Sequence, residues 1–186
     1  MKLLAISGSA RAQSTNTALL RALASITPAS VAIEVFAGIG DLPVFSPDDE
    51  GDATPDVVRT FQQKIAAADG VIIASPEYVR TLPGGLKNAI DWLVSGEHVI
   101  GKPIVLAHAS HRGDDMLQTL RTVLSTISSN FNPGIFLRMP VMKQTPEAIA
   151  EFVTQPANRM AVEKFLTDFV AFCRDSRASK PSAMDL

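Results

Sequence analysis

The chain has 186 residues, of which 46% are hydrophobic and 19% charged, with a formal net charge of −2. That composition excludes a disordered chain, and the near-balance of charge excludes a global pull toward nucleic acid or an anionic membrane. The length fits one α/β domain.

The N-terminal run Met1-Lys2-Leu3-Leu4-Ala5-Ile6 is too short for a signal-peptide core, and no stretch approaches the roughly 20 apolar residues of a membrane span. Cys173 is the single cysteine, so no intramolecular disulfide forms, as suits a reducing compartment. A soluble, cytoplasmic chain with no membrane or nucleic-acid partner is expected.

Leu3 to Ser7 reads as a short buried strand. A helix follows from Asn16 to about Ile26, with Leu19, Leu20, Leu23 and Ile26 at helical spacing. Val31 to Phe36 alternates as a second strand, and a loop rich in Pro, Asp and Gly runs from 38 to 55. Val57, Val58, Phe61 and Ile65 mark a helix from Asp56 to Ala68. The continuous apolar run within 70–74 suits a strand covered on both faces. A helix around Leu86 to Val94, a strand from Pro103 to Ala109 and a helix from Met116 to Ile127 come next. A fifth strand over 136–141 and a last helix over 157–174 complete the pattern. Alternating strands and helices imply a doubly wound sheet of five parallel strands. Residues 1–175 are expected to form a single domain and 176–186 a flexible tail.

Two loops carry the chemistry. The first joins strand one to helix one and supplies Gly8, Ser9, Arg11, Ser14, Thr15 and Asn16. Hydroxyls, the unpaired amides of a helix start and a guanidinium suit a phosphate. Ser14 or Asn16 also suits a plain helix cap, with Arg11 a solvated charge. The loop has no Gly-Lys-Ser/Thr ending and no triple-glycine fingerprint, so a mononucleotide such as FMN fits better than a tightly bound dinucleotide. The second loop, Pro76-Glu77-Tyr78-Val79, lies beyond strand three at the topological switch point, where its backbone meets the polar edge of a flat ring. Lys87 and Asp91 are spaced for a helical i,i+4 pair, and Leu86, Ile90 and Trp92 for a core or a subunit interface.

At these residues the chain resembles the NADPH-dependent FMN reductase family, of flavodoxin-like fold, which includes quinone, chromate and azo-dye reductases. The resemblance implies the flavodoxin-like order 2-1-3-4-5 for the five strands. The match rests on Gly8-Ser9-x-Arg11-x-x-Ser14-x-Asn16 and on Ser75-Pro76-Glu77-Tyr78 with Pro83-Gly84-x-Leu86-Lys87-Asn88-Ala89-x-Asp91-Trp92, and the order of elements agrees to about Arg174. The resemblance implies noncovalent FMN, with Ser9, Arg11, Ser14 and Asn16 at the phosphate and Pro76, Glu77, Tyr78 and Val79 along the ring; Thr15 joins the phosphate group from the loop reading alone. It implies NADPH or NADH as co-substrate, with hydride passing by way of the flavin N5 to a quinone, flavin, azo or metal-anion acceptor, and no catalytic side chain. A homodimer or homotetramer is implied, with the helix bearing Trp92 a candidate interface. Two departures stand out. Val79 occupies a position that is often Asn in the family, and the usually glycine-rich loop after strand four reads Ala109-Ser110-His111-Arg112-Gly113-Asp114-Asp115. Ser110 and His111 remain candidates for the ring edge, and Arg112 either a surface charge or an attractor of NADPH phosphates.

Rival readings have less support. A flavodoxin-type electron carrier is usually more acidic and lacks a charge such as Arg11 in its phosphate loop, while an FMN-binding module without NAD(P)H activity would fit the divergent 110–115 loop. His111 with Asp114 and Asp115 is too sparse for a metal site, and no nucleophile–base pair indicates acyl transfer. Cys173, in an apolar helix, reads as a buried small hydrophobe.

Overall fold

The computed structural model describes residues 1–178. Five parallel strands, β1 (Lys2–Ser7), β2 (Ala32–Phe36), β3 (Gly70–Ala74), β4 (Ile104–His108) and β5 (Phe131–Arg138), form one sheet in the order β2-β1-β3-β4-β5. The expected fold and strand order are therefore observed. Six helices cover the sheet: α1 (Thr15–Ser25), α2 (Asp56–Ala67), α3 (Gly84–Asp91), α4 (Asp114–Ile127), α5 (Pro146–Thr154) and α6 (Pro156–Ala178).

The period-two alternation of strand side chains divides the core into two layers. Leu4, Ile6, Val71, Ile73, Ile104 and Leu106 face α2, α3 and α4, where Phe61, Leu86 and Leu120 are buried. Leu3, Ala5, Ile72, Ala74, Val105 and Ala107 face α1, α5 and α6, against Leu20, Ile149 and Phe169. Cys173 is fully buried in the second layer, and burial pushes its thiol pKa up to about 12.

Three stretches depart from the sequence reading. Strand β5 spans Phe131–Arg138 rather than 136–141. Asn132-Pro133-Gly134 looks like a turn, yet here it is an irregularity of an edge strand. Ile104 pairs with Phe131 and Leu106 with Phe136, so the chain bulges between them. Helix α5 is an element the periodicity does not mark, although Thr145, Pro146 and Glu147 spell a helix start; the Thr145 hydroxyl accepts from the Ala148 amide at 3.3 Å. Helix α6 continues to Ala178, past the boundary expected at 175. The rest of the expected tail, 179–186, lies outside the described residues. The loop from 38 to 55 contains three single 3₁₀ turns.

Trp92 settles into the core, 2% exposed, with Nε1–H donating to the Pro43 carbonyl at 2.8 Å. Asn88 donates to the same carbonyl at 2.9 Å and accepts from the Phe45 amide at 2.8 Å. Phe45 stands edge-on to Trp92, with ring centroids 5.0 Å apart. These two motif residues thus fasten the 42–45 segment to α3. Lys87 and Asp91 form the expected i,i+4 pair.

Candidate functional site

The carboxyl ends of β1, β3 and β4 carry three loops, 8–14, 75–83 and 109–113, at the point where the strand order reverses. In an open α/β sheet this crevice holds ligands. The first two loops touch at their roots. The Gly8 amide donates to the Ala74 carbonyl at 2.7 Å. A Cβ on Gly8 would lie 2.7 Å from Ser75 Oγ and 2.9 Å from Leu86 Cδ2, so only glycine permits this approach.

The first loop converges on the start of α1. Ser9, Ser14 and Asn16 are buried, Thr15 is half-buried and Arg11 is exposed. Ser14 is the N-cap, its Oγ accepting from the Thr17 amide at 3.4 Å. Ser9 Oγ accepts from the Arg11 amide at 3.2 Å. Both oxygens thus act as acceptors, which leaves both hydroxyl protons uncommitted among the described residues. Ser7 and Thr17 satisfy each other at 2.7 Å behind the loop. Asn16 Oδ1 is buried without a hydrogen-bond partner among the described residues, and the Arg11 guanidinium has no acidic partner among them. The first turn of α1 contains no acidic residue, so nothing offsets the positive end of its dipole. Free donors and a lone guanidinium fit a phosphate ester, whereas the orphaned Asn16 Oδ1 is an acceptor and calls for a donor, with only the Asn16 Nδ2 side able to face phosphate oxygens. Capping by Ser14 and anion binding turn out to be compatible uses of one residue.

The second loop folds into a two-residue hairpin. Tyr78 and Thr81 exchange backbone hydrogen bonds, each 3.0 Å, around Val79 and Arg80. Val79 has φ 50° and Arg80 φ 60°, the left-handed pair that a type I′ turn demands. Pro76 and Glu77 are half-buried, Tyr78 is 51% exposed and Val79 97% exposed. The Glu77 carboxylate does not face solvent alone, for its Oε2 accepts from the Met116 amide of α4 at 3.3 Å. Arg80 Nε donates to Asp115 Oδ2 at 2.6 Å. Nothing in the local sequence signalled either link.

The third loop is held from below by His108. Its Nε2 bonds the Arg112 carbonyl, and because a carbonyl only accepts, Nε2 carries the proton. The Ser75 backbone faces the ring, yet among the described residues the buried Nδ1 has no hydrogen bond of normal geometry. Burial pushes the His108 pKa below its ordinary 6.5, against the Arg112 bond that favours the charged ring. Ser110 Oγ accepts from the Arg112 amide at 3.0 Å and donates to Met142 Sδ at 3.6 Å, so it shapes the loop, while His111 and Arg112 are exposed. Asp114 pairs with Arg138, whose hydrogen bond holds the carboxyl below the usual range. Asp114 and Asp115, the two aspartates beside His111, are therefore engaged with arginines, and no group of three or more His, Cys, Asp or Glu residues among the described residues is placed to hold a metal ion.

Residues 1–142 match the family described as NADPH-dependent FMN reductase. The chain is 47% identical over 92 residues to a 2-hydroxy-1,4-benzoquinone reductase of a Burkholderia species, covering 50% of this chain and 49% of that protein. It is 36% identical over 113 residues to a quinone reductase of Escherichia coli K12, covering 59% and 60%. The matches thus span about half to three-fifths of these curated relatives. Among solved structures, the flavoenzyme NAD(P)H:(acceptor) oxidoreductase FerB from Paracoccus denitrificans superposes with a TM-score of 0.74 at 24% identity, covering 94% of this chain and 98% of that one. At that identity the likeness speaks for the fold.

Proposed function

The chain belongs to the NADPH-dependent FMN reductase family, and from that footing we propose that it binds FMN noncovalently and acts as an NAD(P)H-dependent reductase of small acceptors, quinones foremost. The observation that carries the reading is the start of α1: serine hydroxyls whose oxygens only accept, a guanidinium with no acidic partner among the described residues and a helix dipole with no acidic residue in its first turn meet at the crevice. Two of the curated relatives are named for quinone reduction, which favours a quinone over the flavin, azo and metal-anion acceptors.

In this reading Ser9, Ser14, Thr15, Asn16 and Arg11 hold the phosphate, donating to its oxygens and neutralising its charge. The backbone of Pro76, Glu77, Tyr78 and Val79 lies along the ring. The Glu77 and Val79 amides have no acceptor among the described residues and so remain available to its polar edge. Ser110 and His111 border the opposite side, with Ser110 stiffening the loop and His111 exposed at its rim. Bound FMN supplies the redox chemistry between NAD(P)H and the acceptor. The protein positions the ring and shields it from water, and no side chain here is asked to act as general acid or base. Assembly as a homodimer or homotetramer and a cytoplasmic setting belong to the same reading. Val94 and Ile100, 60% and 56% exposed just beyond α3, are apolar surface for such an assembly, whereas Trp92 is already buried. Among the described residues no helix is long and apolar enough to cross a membrane.

The test is anaerobic mixing of FMN-loaded protein with NADPH, followed by a quinone, with flavin absorbance as the signal. Rapid bleaching and quinone-driven recovery are expected. FMN that binds but stays oxidised would favour an electron carrier, and failure to bind FMN would sink the reading. Arg11→Ala is expected to weaken FMN binding about tenfold, the worth of one charge-assisted contact at an exposed position.

A further inference from the structure

Helix α4 begins without a cap of its own. Its N-cap is Gly113, at φ 98°, with no side chain to accept from the first turn. No capping side chain fits there either, since a Cβ would lie 2.9 Å from His108 Nε2. The first intrahelical bond runs from the Leu117 amide to the Gly113 carbonyl at 3.0 Å, so the Met116 amide is an orphan donor. Its acceptor is Glu77 Oε2, 3.3 Å away on the loop after β3. Three residues on, Arg80 returns to the same helix turn through Asp115 at 2.6 Å. Between those two ties sit Tyr78 and Val79, the exposed tip of the loop.

We propose that Glu77 is a positioning residue: by capping α4 from another loop, it fixes the 76–81 loop against the 109–113 loop and so sets the width of the crevice between them. The inference rests on the flavin reading above for its functional consequence, but the cap itself is independent of any ligand. Of the two ties, Arg80–Asp115 is the weaker support, because both side chains are substantially exposed and water competes for them. Glu77 is half-buried and accepts from a backbone amide at a helix start, where a carboxylate also meets the positive end of the dipole. Asp114 and Asp115 at the same helix start are already engaged with Arg138 and Arg80, and the carboxylate that meets a first-turn amide of α4 is that of Glu77. The two helix starts at the crevice thus have different roles, α1 open to a phosphate and α4 capped by the Glu77 carboxylate from another loop.

Hydrogen exchange on the FMN-free protein tests the cap, and FMN titration tests its consequence. Glu77→Ala removes the acceptor. Glu77→Asp keeps the charge but is one methylene too short, and Glu77→Gln keeps the reach and the acceptor while losing the charge. The Met116 amide is expected to exchange about tenfold faster, or more, in the Ala and Asp variants. The amides of 78–81 are expected to follow, with protection largely kept in the Gln variant. The Ala and Asp variants are expected to bind FMN about tenfold more weakly. Unchanged exchange at Met116 in the Ala variant overturns the proposal. So does an Asp variant that behaves like the parent while Gln behaves like Ala, for then charge rather than reach is what matters. If the parent protein binds no FMN, the functional reading falls, yet the exchange pattern still decides the role of Glu77.

Discussion

Val79→Asn should stabilise the protein by about 1 kcal/mol. The hairpin at 78–81 needs two consecutive residues at positive φ, and Val79 and Arg80 sit at 50° and 60°. A left-handed backbone costs an ordinary L-residue about 1–2 kcal/mol, and a β-branched residue there is a true outlier. Asn tolerates the conformation because its short amide bonds its own backbone locally. Nothing offsets that gain. Val79 is 97% exposed, so its isopropyl group contributes no burial, and the paired Tyr78–Thr81 bonds are backbone bonds that the substitution leaves in place. Val79→Gly relieves the same strain but gives back about 0.5–1 kcal/mol to unfolded-chain entropy, and so falls between parent and Asn. Val79→Ala removes the branching while keeping the handedness problem and gains least. The assay is urea and thermal unfolding of FMN-free protein, so that ligand affinity does not enter the stability. For a chain of this length 1 kcal/mol moves Tm by about 2–4 °C. An Asn variant no more stable than the parent, or an Ala variant that matches it, would refute the strain argument.

Three further outcomes follow from the packing around the crevice and the second core layer. Gly113→Ala combines a φ of 98° with a Cβ 2.9 Å from His108 Nε2; a loss of about 2 kcal/mol is expected in urea unfolding. Because burial lowers the His108 pKa, the unfolded chain binds the extra proton first as pH falls. The contribution of His108 is complete above 6.5 and declines as pH drops from there through the lower folded value; Unfolding free energies from pH 7.5 to 5 should therefore slope more gently in His108→Gln than in the parent, and equal slopes would count against a buried neutral imidazole. Cys173, with its thiol pushed up to about 12 and fully buried, should resist a thiol reagent at pH 8 in native protein and react promptly once urea unfolds it.

Much of this molecule is legible from local pattern. Apolar runs such as Val71-Ile72-Ile73 mark covered strands, and Leu19, Leu20 and Leu23 mark a buried helix face, because periodicity records which side of an element meets the core. The parallel, doubly wound sheet follows from that alternation, since parallel strands need crossovers and ligands gather where the crossovers reverse, while the order 2-1-3-4-5 comes only with the resemblance carried by the two loop motifs. The bulged β5 escaped, because Asn132-Pro133-Gly134 reads locally as a turn and only pairing with β4 makes it strand. Glu77 escaped for the same kind of reason. Its neighbours in sequence are loop residues proposed to line a ring, while its partner, the Met116 amide, is 39 positions away. Likewise Asn88 and Trp92 reveal their work only through Pro43 and Phe45, which they meet in space. Side-chain periodicity is set by the backbone of one element and so appears in sequence, but the satisfaction of an orphan amide or an indole N–H depends on which element packs beside it, and that is decided by the folded chain.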